Sequence, residues 1–214
     1  QETIAFVGER GSGKTTLVNI ITGLLPVDKG EYLINEESSK SLDLNDFQKR
    51  IGYITQDSVI FNDTLFNNVT FWADQNEKNI KKFWEAIRKA SLLDFLDSLP
   101  KRENEILENN GINLSGGQKQ RVSIARELYK NVEILILDEA TSALDSETEK
   151  DIQKNIEELK GEYTILIVAH RLSTIKNADR IVVMKNGRIS HIGNFDNLIE
   201  ESLYFKKLVQ LQEI

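Results

Sequence analysis

The sequence predicts an α/β fold, a mainly parallel sheet with helices on both faces, and three observations predict it. Short apolar runs such as Ile134-Leu135-Ile136-Leu137 and Ile165-Leu166-Ile167-Val168-Ala169 read as strands buried on both faces. Helical patterns separate most of these runs, and strand–helix alternation builds parallel sheets. Residues 57–132 break the alternation with a mostly helical stretch. The chain therefore reads as a single domain, 1–214, with a core of 1–56 and 133–214 and an inserted helical subdomain of about 57–132.

Residues 4–7 form a short buried strand ended by Gly8. A helix over about 14–23 carries Leu17, Ile20, Ile21 and Leu24 on its apolar side and stops near Pro26. Residues 31–35 and 51–55 are further strands. Residues 77–97 read as one helix, whose Ile80, Phe83, Trp84, Ile87 and Ala90 stand at helical spacing for core packing. Then come a helix over 115–129, a strand over 134–137, a helix over 146–159 and a strand over 164–168. The chain closes with strand 180–184, the turn Lys185-Asn186-Gly187, strand 188–192 and helix 195–213. There is no internal repeat and no low-complexity segment.

A hydrophobic fraction of 40% and a charged fraction of 29% are those of an ordinary globular domain. The formal charge of −7 gives no reason to expect a nucleic-acid partner, because phosphate backbones select basic surfaces. Without cysteine there is neither a disulfide framework nor a thiolate metal site. The apolar runs fall far short of the roughly 20 residues that cross a bilayer, and no signal peptide is visible. Gln1-Glu2-Thr3 leads straight into Ile4-Ala5-Phe6-Val7, so the chain reads as a soluble piece of something longer.

Gly8-Glu9-Arg10-Gly11-Ser12-Gly13-Lys14-Thr15, followed by Thr16, fits the phosphate-loop pattern and stands between a strand and a helix. Its glycines let backbone N–H groups approach phosphate closely. The helix behind it adds the positive end of its dipole. Lys14 supplies a point charge for β- and γ-phosphates, and Thr15 offers a hydroxyl to Mg²⁺. The strand 134–137 ends in a second device, Asp138-Glu139. An acid at this strand tip holds magnesium in phosphate-loop enzymes, which assigns Asp138 to the metal. Glu139 then reaches the far side of the γ-phosphate, where it can accept a proton from attacking water.

Leu114-Ser115-Gly116-Gly117-Gln118 is the signature of the ABC ATPase family, and the sequence resembles its nucleotide-binding domains. The family's order and spacing are also matched by Gln56 in Tyr53-Ile54-Thr55-Gln56-Asp57, by Ser142-Ala143-Leu144-Asp145, and by His170 in Ala169-His170-Arg171. The resemblance runs from Glu2 to about Ile199. It implies a RecA-like phosphate-loop NTPase fold with a helical subdomain and a truncated antiparallel β part. It also implies ATP and Mg²⁺ as ligands, with Gln56 in the metal shell beside Thr15 and Asp138, and His170 at the γ-phosphate and the attacking water. Ser115-x-x-Gln118 is at the same time a capping-box pattern opening a helix, whose N-terminus is a ready anion site. In the family two domains pair head to tail, so that Ser115, Gly116, Gly117 and Gln118 of one face the nucleotide held by the other, with Asp145 at that interface. The intact set favours a homodimer, and a heterodimer with this chain as the intact partner is the alternative. His191 matches no catalytic position and reads as surface.

Three stretches resemble the exporter branch: 60–69 after Gln56, 170–175, and 192–199. The resemblance implies a parent with a fused transmembrane domain ahead of this one, at the cytoplasmic face of a membrane such as a bacterial inner membrane. Its cargo would be a lipid, lipid-linked sugar, peptide or drug. Two departures stand out. Exporters stack an aromatic residue on adenine well ahead of the phosphate loop, and only thirteen residues precede Lys14 here. Base stacking is worth about 1–3 kcal/mol, so this piece should bind ATP about ten-fold or more below the parent. Exporters also carry a Gly-Glu pair near Glu108-Asn109, and its replacement bears on how the domain senses its transmembrane partner. A non-transport ABC ATPase would show coiled-coil insertions, paired domains or a basic surface, and a nucleotide-gated dimerisation module would not need Glu139 and His170. A GTPase is excluded by the lack of an Asn-Lys-x-Asp motif.

Overall fold

The computed structural model describes residues 1–108, 111–140, 144–169 and 172–211, with Leu172 and Ser173 as backbone only. The buried apolar runs assemble first. β1 (Thr3–Val7), β4 (Ile51–Thr55), β7 (Ile134–Asp138) and β8 (Thr164–Val168) are parallel, with β9 (Arg180–Lys185) parallel to β1 and β10 (Arg188–Gly193) antiparallel to β9. The six-stranded order is β10-β9-β1-β8-β7-β4. Between these strands run α1 (Lys14–Ile21), the hairpin β2 (Leu33–Ile34) and β3 (Glu37–Ser38), and α2 (Leu44–Lys49). A second hairpin pairs β5 (Asp63–Thr64) with β6 (Ile106–Leu107), enclosing α3 (Leu65–Thr70), α4 (Glu77–Lys89) and α5 (Leu93–Ser98). The remaining helices are α6 (Gly116–Tyr129), α7 (Ser146–Glu158), α8 (Leu172–Ile175), α9 (Phe195–Glu201) and α10 (Leu203–Gln210).

Alternation along each strand sends its side chains to two cores. Phe6, Ile136, Leu166, Val168, Val182 and Met184 pack with Val18 of α1 on one face. The other face, with Ala5, Leu135, Leu137, Ile165 and Ile167, belongs to one continuous cluster that extends through α7 and on into α3, α4 and α6. The mainly parallel sheet with two helical faces and an antiparallel edge is as the sequence predicts.

Several boundaries differ, each for a local reason. The expected helix over 77–97 is two helices, broken where Ser91 takes a left-handed conformation with φ 52°. The expected helix 195–213 breaks at Ser202, which is extended, buried, and caps α10 by accepting a bond from the Phe205 N–H. The expected strand 31–35 shrinks to Leu33–Ile34, because Asn35 and Glu36 both take positive φ and turn the chain back. Leu24 lies beyond α1 and is 59% exposed; Val18 is the residue that anchors the helix. In α4, Phe83 and Ile87 are buried while Ile80 lies at the surface. His191 is half-buried, its Nδ1 3.3 Å from Ser202 Oγ. α2 and α3 have no signal in the periodicity because each is a six-residue helix defined by its cap, Asp43 or Thr64.

Candidate nucleotide site

The parallel register sets the site. Thr55 pairs with Asp138, Asp138 with Val168, and Val168 with Phe6, so β4, β7, β8 and β1 end at one level. Gln56, Glu139 and Gly8 therefore leave the sheet along one C-terminal edge, where open α/β sheets bind ligands. His170 follows β8 at the same edge but lies outside the described residues, as do Ser142 and Ala143.

Gly8 is required by close approach, since a Cβ there would stand 2.3 Å from the Met184 carbonyl oxygen. The loop is tied by bonds from the Ser12 N–H to Glu9 O and from the Gly187 N–H to Ser12 O. The Glu9 N–H donates to the Tyr204 hydroxyl of α10 at 3.3 Å. Glu9, Arg10, Gly11, Thr15 and Thr16 are exposed. Lys14 is buried, and its Nζ donates to Gly8 O at 2.9 Å and Glu9 O at 3.2 Å. Burial pulls its ammonium below the ordinary lysine range, against the attraction of Glu139 and Asp138. Ser12 Oγ is buried without a hydrogen-bond partner among the described residues, an unmet donor in the cradle where a phosphate oxygen would sit.

Asp138 Oδ2 accepts from the Tyr53 hydroxyl at 2.9 Å. Burial and then Asp138 push that phenol well above its ordinary range. Glu139 takes a left-handed backbone conformation, φ 53°, with its N–H bonded to Val168 O. Such a conformation costs a non-glycine residue about 1–3 kcal/mol and clusters at functional sites. Gln56 is exposed just beyond β4. The loop around it is held by α6, whose buried Gln120 accepts from Ser58 Oγ and reaches Thr55 O with its amide. Thr15, Gln56 and Asp138 offer only hard oxygen donors, the set magnesium takes alongside nucleotide phosphates.

The Ser115 pentapeptide opens α6 with the expected capping box. Ser115 Oγ accepts from the Gln118 N–H, and Gln118 Oε1 accepts from the Ser115 N–H. Ser115 and Gly116 are exposed at the helix start, and Gly117 is buried against Thr148 of α7. Asp145 caps α7 by accepting from the Thr148 and Glu147 N–H groups, and Thr148 first, through its N–H and hydroxyl, then Glu147 hold its carboxyl below the usual range. Sequence reasoning missed Tyr53, Gln120 and Tyr204. Polar side chains just before or beyond the motif residues were the only available hint.

A phosphate loop, an acid pair and a two-faced parallel sheet define the class: a phosphate-loop nucleotide-binding protein. The family model described as ABC transporter matches residues 1–142, and the chain belongs to the ABC transporter family. It is 40% identical over 211 residues to an ATP-dependent lipid A-core flippase of Haemophilus influenzae, with 99% of this chain and 36% of that protein covered. A flippase of the same name from Hahella chejuensis is 45% identical over 213 residues, at 99% and 36% coverage. A solved bacterial Atm1-family ABC exporter with ATP bound superimposes with a TM-score of 0.87 at 33% identity, covering all of this chain and 37% of that one. The chain thus spans about a third of the length of these relatives.

Proposed function

We propose that this chain is the ATP-binding and hydrolysing domain of an exporter. The observation that carries the reading is the single sheet edge at which β1 runs into the phosphate loop, with Lys14 buried in it, while β7 ends in Asp138 and Glu139. Lys14 and the loop amides hold the phosphates, and Ser12 Oγ finds there the partner it lacks. Thr15, Gln56 and Asp138 would hold magnesium, which when bound neutralises charge on the transferring phosphoryl group. Glu139 accepts the proton of the attacking water. His170 belongs beside it by the family pattern. Ser115 and Gly117 of a second copy complete the site from across a head-to-tail dimer, with Asp145 at that contact. Residues 1–56 and 133–214 act as the catalytic core and 57–132 as the helical arm.

The whole protein then couples this cycle to transport through a transmembrane domain, with the present domain at the cytoplasmic face. No described helix is long and apolar enough to cross a membrane. The similarity to lipid A-core flippases supports a lipid as cargo. Glu139→Gln tests the reading. ATP binding should persist while turnover falls by about 10²–10⁴-fold, the usual contribution of a general base. Near-normal turnover would remove Glu139 from that role.

A further inference from the structure

None of the motifs calls for Tyr53. Its ring lies against the α1-side core with Leu17, Ile21 and Ile51, a role any apolar side chain could fill. The hydroxyl does something else. It donates to Asp138 Oδ2 at 2.9 Å and lies 3.4 Å from Asn19 Oδ1. A phenol has one proton, and the shorter bond to a charged acceptor takes it.

Both ends of this bond are rigidly mounted. Tyr53 sits opposite Ile136 in the parallel register, and Asp138 is two residues further along the same strand on the same face. Asn19 stands on α1, the helix that begins at Lys14. One hydroxyl thus sits among the helix behind the phosphate loop, the strand leading to Gln56 and the strand ending in the acid pair. An unrestrained aspartate at a strand tip has several rotamers open to it. Here the bond from Tyr53 holds one carboxylate oxygen and so restricts the orientation of the whole group.

We propose that Tyr53 is a positioning residue for magnesium: it fixes the Asp138 carboxylate so that the cation's shell meets a preset acceptor. The inference rests on the reading of Asp138 as the metal-holding acid. Outer-shell partners of this kind are worth about 10–100-fold in metal affinity.

Tyr53→Phe keeps the ring and removes the hydroxyl. ATP affinity of the purified protein, measured by calorimetry across a magnesium series and in EDTA, reads the effect without relying on turnover. In EDTA the variant should bind ATP like the unsubstituted chain. The magnesium concentration giving half of the metal-dependent gain should rise about ten-fold. Tyr53→Leu, which also lacks the hydroxyl but packs differently, should shift the magnesium curve likewise. An unchanged magnesium curve in a folded variant overturns the proposal. An equal loss with and without magnesium also overturns it, since Tyr53 would then act on the phosphate loop through packing. If the unsubstituted chain shows no magnesium-dependent ATP binding, the metal role of Asp138 fails instead.

Discussion

At Lys14 two demands conflict. An ammonium loses solvation when buried, yet a phosphate site needs that charge inside the loop. The loop answers with two carbonyl acceptors, and the sheet edge answers with Asp138 and Glu139. Lys14→Met keeps the stem's bulk and removes the charge. Hydrogen bonds to charged groups contribute about 1.5–3 kcal/mol, so ATP affinity should fall roughly ten- to hundred-fold by calorimetry. The thermal midpoint without nucleotide should hold or rise, because a costly buried cation is gone. A loss of fold with the loss of binding would show that Lys14 is structural first.

Between elements, the starts of α6 and α7 are fitted to one another. A Cβ on Gly117 would meet Thr148 Cγ2, so packing by itself requires the second glycine of the signature. Gly117→Ala should lower stability by about 1–3 kcal/mol, the usual range for overpacking, measured by urea unfolding. Thr148→Ser removes the clashing methyl and keeps the hydroxyl, so the double variant should recover most of the loss. Additive losses would show that no such contact governs the site. Arg126 makes a different link from α6, donating to Val59 O and Asn68 O while its guanidinium lies over the rings of Phe61 and Phe71. The signature helix is therefore bonded at one end of its length to the 59–71 surface and at Gln120 to the loop of Gln56.

At the scale of the whole molecule, one chain has two helices that open behind glycines, at Lys14 and at Gly116. The proposed head-to-tail pairing uses both, and the Glu139→Gln chain should hold that pair long enough to detect. Sedimentation velocity should show a dimer with Mg-ATP and a monomer without it. A monomer throughout would mean that this chain's two ends do not close a site by themselves.

The motifs made most of the site legible before any coordinates. The phosphate loop, the acid pair and the capping box are local chemistry, in which residue type at fixed spacing states the function. The parallel core was equally legible, because strands buried on both faces read as unbroken apolar runs. The sequence by itself thus determined the fold class and the family, and it supplied the motifs on which the proposed nucleotide site rests. Only the tertiary structure decided where the long helical patterns break, at Ser91 and Ser202, since one residue's backbone conformation leaves no periodic trace. It alone decided that Tyr53 meets Asp138, 85 positions away, and that Thr148 presses on Gly117. Such contacts depend on strand register and helix approach, which are set by the packing of the whole core and by no local pattern.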